Sequence, residues 1–171
     1  MIGDIELAVR LLRATPTHEH RTDEQLGAWA DIALAYGEEL AQHTDDPAIQ
    51  VVDRDGGVRK NELLLAEHRR RVVFVYTDAL ARVEQLALSK GWPVTGDALR
   101  RAAIAHELAH ERIDVRELNR RLGHTAARLG PLRVRGHVAG ADEIAAHRFA
   151  HLRSGLGVSP LRITAVLAGG H

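Results

Sequence analysis

His106-Glu107-Leu108-Ala109-His110 carries more chemistry than any other five residues of this chain. In a helix, residues four apart lie one turn apart on the same face. His106 and His110 can then share one metal ion. Glu107 sits beside that ion without having to bind it, where a general base for a metal-activated water belongs. The surrounding pattern predicts such a helix over about residues 98–113. Leu99, Ala103, His106, His110 and Ile113 fall on one stripe, and Ile104 and Leu108 occupy much of the opposite side. The helix is therefore expected to be buried on two faces, with Arg101 and Arg112 in water. Imidazoles on an inward stripe need partners, and one metal ion partners both.

Two histidines do not complete a catalytic zinc site, which takes three protein ligands and keeps one position open. No third histidine follows closely, since positions 113 and 116 are Ile and Arg. The candidates farther along are His124, His137, Glu143, His147 and His151. A helical wheel over 142–150 places Glu143, Ala146, His147 and Ala150 on one face. Two alanines there would let this helix approach the motif helix closely, so Glu143 leads the candidates. Its ordinary roles are an acid at a helix N-terminus or an intrahelical pair with His147.

Working outward, residues 4–14 and 24–42 read as helices, with Thr22 and Gln25 resembling a capping box before the second. A turn-rich stretch over 43–47 follows. Residues 48–52 form a short β-branched strand closed by Asp55-Gly56-Gly57, and 62–67 are a weaker apolar run. Residues 71–76, RVVFVY, are the strongest strand signal. Thr77 is expected to cap a helix over 78–88, and Thr95-Gly96-Asp97 to start the motif helix. A further helix is predicted over about 115–129, ended by Gly130-Pro131. Residues 136–140 read as loop, and a last helix runs from 141 to about 153. Helices, a small sheet of about three strands, then helices again is an α+β order, not an alternating one.

A chain of 171 residues with 45% hydrophobic residues is one ordinary domain with a real core. Residues 1–44 could form a separable helical lobe. With aromatics at 4%, the core must be built from aliphatic side chains. Formal net charge is zero, so no global field draws nucleic acid or a membrane. Arginines cluster between Val115 and Gly140, but the overall balance and sparse aromatics argue against nucleic-acid binding. Cysteine is absent, so any metal ligands must be His, Asp or Glu. No apolar run approaches a membrane span, and the first residues do not read as a signal peptide. A soluble cytoplasmic protein is expected.

At this point a resemblance becomes visible. AHELAH, followed some thirty residues later by Glu143-x-x-Ala146-x-x-Phe149-Ala150, is similar to the gluzincin metallopeptidases. The closest likeness is to small ImmA/IrrE-like and minimal gluzincin domains, over roughly residues 70–152. The resemblance implies a zincin-like fold with a sheet before the motif helix. It also implies Zn²⁺ held by His106, His110 and Glu143, with Glu107 as base in the hydrolysis of a peptide or protein substrate. Tyr76, His124 and His137 are possible electrophiles for the oxyanion. The chain departs from the family at His147, where an acid or amide is usual; His147 can support a ligand from behind or compete for the metal. The tail after Phe149 departs as well. The alternative is a metal-binding regulatory or interaction module with little or no peptidase activity.

Overall fold

The computed structural model describes residues 3–18, 20–43, 48–60, 62–129 and 132–169. Among them are seven α-helices, a three-stranded sheet and two small two-stranded ribbons, an α+β fold. Two N-terminal helices, α1 (Asp4–Arg13) and α2 (Asp23–Gln42), come first. Thr22 caps α2 by accepting the Gln25 N–H. The strands β1 (Gln50–Arg54), β2 (Val58–Arg59), β3 (Glu62–Leu63), β4 (Ala66–Arg69) and β5 (Val72–Tyr76) follow. Then come α3 (Thr77–Ser89), the motif helix α4 (Gly96–Arg112) and α5 (Val115–Leu122). A ribbon of β6 (Thr125–Leu129) and β7 (Leu132–Arg135) leads to α6 (Ala141–Ser154) and α7 (Pro160–Ala168).

The sheet order is β1-β5-β4, with β1 parallel and β4 antiparallel to β5. The RVVFVY strand, β5, is therefore the central strand, and β4 is an edge. Val73 and Val75 are fully buried on the sheet face that meets α3 and α4. Their alternation with the less buried Val72 and Phe74 is the period-two pattern of a strand, which ends at the buried Tyr76. Asp78 accepts the N–H groups of Gly56, Gly57 and Val58 and so pins the turn after β1.

Three expectations are corrected. The predicted helix over 115–129 stops at Leu122, because Gly123 takes a left-handed conformation (φ 63°) and terminates it. Residues 125–129 instead pair antiparallel with 132–135. The predicted stop at 130–131 and the turn over 44–47 lie outside the described residues. Thr77 does not cap α3. Its hydroxyl donates to the Arg54 carbonyl and to Asp55, tying the start of α3 to the end of β1. Arg112 does not simply face water, since its guanidinium lies 5.4 Å from the centre of the Phe149 ring. The helix 160–168 was not expected at all.

Two apolar clusters hold the chain together. One joins α1, α2, α5 and α6 to one side of α4, through Leu12, Leu26, Ile144 and Phe149. The other joins the sheet, α3 and the other side of α4, through Val73, Val83 and Leu99. The motif helix is thus shared by both cores, and α7 contributes Leu161 to the first and Ile163 to the second. Helix α6 packs against both α4 and α2. Small residues make this close: Ala105, Ala109, Ala145, Ala146 and Ala150 are all buried. At the α2 contact a Cβ on Gly37 would stand 2.3 Å from the Ala145 carbonyl oxygen. Gly37→Ala is expected to destabilise the fold by about 1–3 kcal/mol, the usual cost of overpacking. Urea denaturation measures it, and a loss under 0.5 kcal/mol, the usual bound for a surface change, would show that the helices separate freely.

Candidate metal centre

Helix α4 begins where the Thr95 hydroxyl accepts the Ala98 N–H. Its 17 residues carry the motif in the last two turns. Helix α6 begins at Gly140, whose left-handed backbone (φ 86°) turns the chain into it. Glu143 stands in the first turn of α6 and His147 one turn on. The alanine-lined contact between the two helices brings these four side chains together.

The geometry is specific. His106 Nε2 and His110 Nε2 lie 3.2 Å apart. Each lies 3.3 Å from a Glu143 carboxylate oxygen, His106 from Oε2 and His110 from Oε1. Four-coordinate zinc with bonds of about 2.0–2.1 Å spaces its donors by about 3.3–3.4 Å along the tetrahedron edge. The His106–His110 edge and each histidine's contact with the Glu143 carboxylate are close to that spacing, each histidine meeting a different carboxylate oxygen. Two imidazoles and a carboxylate are also a donor set that zinc accepts. Asp142, which the sequence did not single out, lies in a group with His110 and Glu143 whose donor atoms are within 4.8 Å of one another. His106, Glu143 and His147 form a second such group.

Charge follows the geometry. Hydrogen bonds from His106 and His110 hold the Glu143 carboxyl far below the usual carboxylate range, against the effect of burial. The same contact raises His110. Glu107 is raised, chiefly by burial. His147 is pushed down to about 3, first by burial and then by His106, so its imidazole is neutral at pH 7. Burial also lowers His151, one turn farther along α6, which lies outside both metal-ligand groups among the described residues.

Glu107 follows His106 on α4 and is partly buried. Its Oε2 accepts the backbone N–H of His68 at 3.0 Å, which ties α4 to the edge strand β4. The His68 ring is held by Glu111, with Nδ1 3.1 Å from the carboxylate. His68 and Glu111 were not picked out from the sequence. The spacing Glu107–Glu111 is one helical turn and so was readable, but nothing in the sequence says that β4 lies across that turn.

His106, Glu107, Glu143 and His147 open into a cleft of about 1270 Å³. Its other walls include Leu63 to Ala66 from the strands, Leu99 and Ala103 from α4, and Ile163 and Leu167 from α7. None of the three proposed electrophiles lines it. The Tyr76 hydroxyl donates to Glu67 at 2.6 Å. His124 packs its ring on Trp29, with centroids 5.2 Å apart. His137 is exposed, its Nδ1 3.2 Å from the Asn119 side-chain amide.

No protein-family model, curated protein or solved structure matches the chain. Among the described residues, no helix is long and apolar enough to cross a membrane.

Proposed function

We propose that the protein is a zinc-dependent peptidase in which His106, His110 and Glu143 hold the metal and Glu107 is the general base. The zincin-like character of the fold and the likeness to gluzincins belong to this proposal. The observation that carries it is the convergence of two imidazole nitrogens 3.2 Å apart on one carboxylate, each 3.3 Å from one of its oxygens, with the partly buried Glu107 next to His106 in the chain. Zinc bound there would supply Lewis-acid polarisation of a substrate carbonyl and a lowered pKa for water. Glu107 then needs to accept a proton and return it to the leaving amine. Burial raises its proton affinity, which moves it toward the pH at which both transfers are efficient. The His68 N–H holds one oxygen of Glu107 and leaves the other for this exchange. The cleft supports a chain-like substrate, since the edge strand β4 borders it through Ala66 and can offer main-chain partners to an extended peptide.

Metal content and stability test the first half of this reading. Purified protein is expected to bind one equivalent of zinc, and the zinc to stabilise the fold. At free zinc a hundredfold above its Kd the gain is about 2.7 kcal/mol. For a chain of this size that is a rise in Tm of about 5–11 °C. Differential scanning calorimetry with zinc and with a chelator measures it. A Tm unmoved by either would remove the metal from the proposal. Hydrolysis of a peptide library by the zinc-loaded protein tests the second half; no cleavage by a protein that does hold zinc would favour a binding module.

A further inference from the structure

His147 is the one imidazole of this cluster for which the proposed chemistry has no use. It lies one turn beyond Glu143 on α6, on the face that meets α4. Its ring centre is 4.6 Å from that of His106, and the His106 and His110 centres are 4.9 Å apart. Imidazoles bound to a single zinc ion at a tetrahedral angle have centroids about 5 Å apart, given bonds of about 2.0–2.1 Å. The His147 ring centre therefore lies as near His106 as that of His110 does, at a different tilt, 41° against 77°. A donor nitrogen of His147, one of His106 and a carboxylate oxygen of Glu143 all lie within 4.8 Å of one another. The Nδ1 atom of His147 is shut off from solvent and has no hydrogen-bond partner among the described residues. An imidazole nitrogen left in that condition costs free energy that a coordinate bond or a hydrogen bond would recover.

We propose that His147 is a fourth protein ligand of the metal, so that the resting site is closed by His106, His110, Glu143 and His147. This rests on the zinc reading above and adds a condition to it. A site with four protein ligands has no position for solvent or substrate. With a metal held this way, the His147 ring would have to turn aside to leave a position for substrate. The neighbouring alanines, Ala146 and Ala150, are small, and His147 itself borders the cleft, so the ring has space into which to turn.

Cobalt titration and X-ray absorption on the full chain decide the matter. With Co²⁺ in place of zinc, the wild-type protein should give a tetrahedral visible spectrum that azide does not alter. The zinc edge should count three imidazoles. In His147→Ala the count should fall to two and azide should change the cobalt spectrum. Zinc affinity, measured by competition with a chromophoric chelator, should drop at least about tenfold. His147→Phe keeps a ring in the same space and should behave like the alanine variant, which covers the case in which the smaller side chain unfolds the protein. Two imidazoles and an azide-sensitive spectrum in the wild type would overturn the closed site while leaving the zinc reading intact. Unchanged affinity in both variants would do the same. A wild-type protein that takes up neither cobalt nor zinc would overturn both readings together.

Discussion

Glu107→Gln is expected to lower peptide hydrolysis by about 10²–10⁴-fold, the usual contribution of a positioned general base, while zinc binding stays intact. The substitution is nearly isosteric. The new side-chain oxygen can still accept the His68 N–H that Glu107 Oε2 accepts at 3.0 Å, so β4 and α4 remain tied. The proposed ligands His106, His110 and Glu143 are not altered. What disappears is the carboxylate proposed to take a proton beside the metal position. Single-turnover hydrolysis and zinc stoichiometry on the same sample separate the two roles. Retained hydrolysis would remove Glu107 from the mechanism, and lost zinc would make it a ligand instead of a base. Glu107→Asp should fall between, since it keeps a carboxylate but withdraws it by one methylene; a displacement of about 1 Å at a catalytic group can cost 10²-fold.

The second large effect is acid lability of the chelated, metal-free protein. His147 titrates near 6.5 in the unfolded chain and at about 3 in the folded one. Between those values the unfolded state holds a proton that the folded state refuses. Stability therefore falls as pH falls through this window, by up to about 1.4 kcal/mol per pH unit. Glu143 acts in the same direction at lower pH. Its carboxyl is lowered by its hydrogen bonds to His106 and His110, so its contribution is complete above about 4.5 and is lost below. His110 has the opposite sign. Glu143 raises it, so its contribution is present below about 6.5 and fades as pH rises through its folded value. Glu107, raised by burial, likewise contributes below about 4.5 and loses that contribution as pH rises. The sum places maximum stability near neutrality, with a steep fall toward pH 4. Urea denaturation at half-unit steps from pH 7 to 4 measures the slope. His147→Phe, which removes the titrating group, should flatten it between 6.5 and 4.5. An unchanged slope in that variant would show that His147 accepts its proton in the folded protein without cost.

Most helices were readable because their signals are local. Thr22 and Thr95 cap α2 and α4 through hydroxyls that accept N–H groups three residues on. RVVFVY became a strand because alternating β-branched and aromatic side chains suit a pleated surface covered chiefly on one face. Where the reading failed, a local signal lost to a longer-range one. Residues 115–129 look like one helix until Gly123 turns left-handed and 125–129 find a partner strand. Thr77 looks like a cap, but its hydroxyl is taken by β1, more than twenty residues earlier. Ser159 followed by Pro160 before an apolar run is a local helix start of the same kind, and α7 begins there.

The same division runs through the site. The sequence by itself determined that His106 and His110 share a helix face, because 3.6 residues per turn leaves no other result for a spacing of four. It also determined that Glu143 and His147 share a face of a second helix, and that alanines beside them permit a close crossing. Only the tertiary structure decided that the two faces meet. That depends on two helix surfaces packing at one height, and no spacing within either helix encodes the height. It placed Glu143 at 3.3 Å from both histidines, seated the His147 ring 4.6 Å from that of His106, and laid the His68 N–H on Glu107. Spacing along one helix is covalent geometry, which a sequence carries in full. The distance between two helices is set by everything packed around them, down to the missing side chain at Gly37.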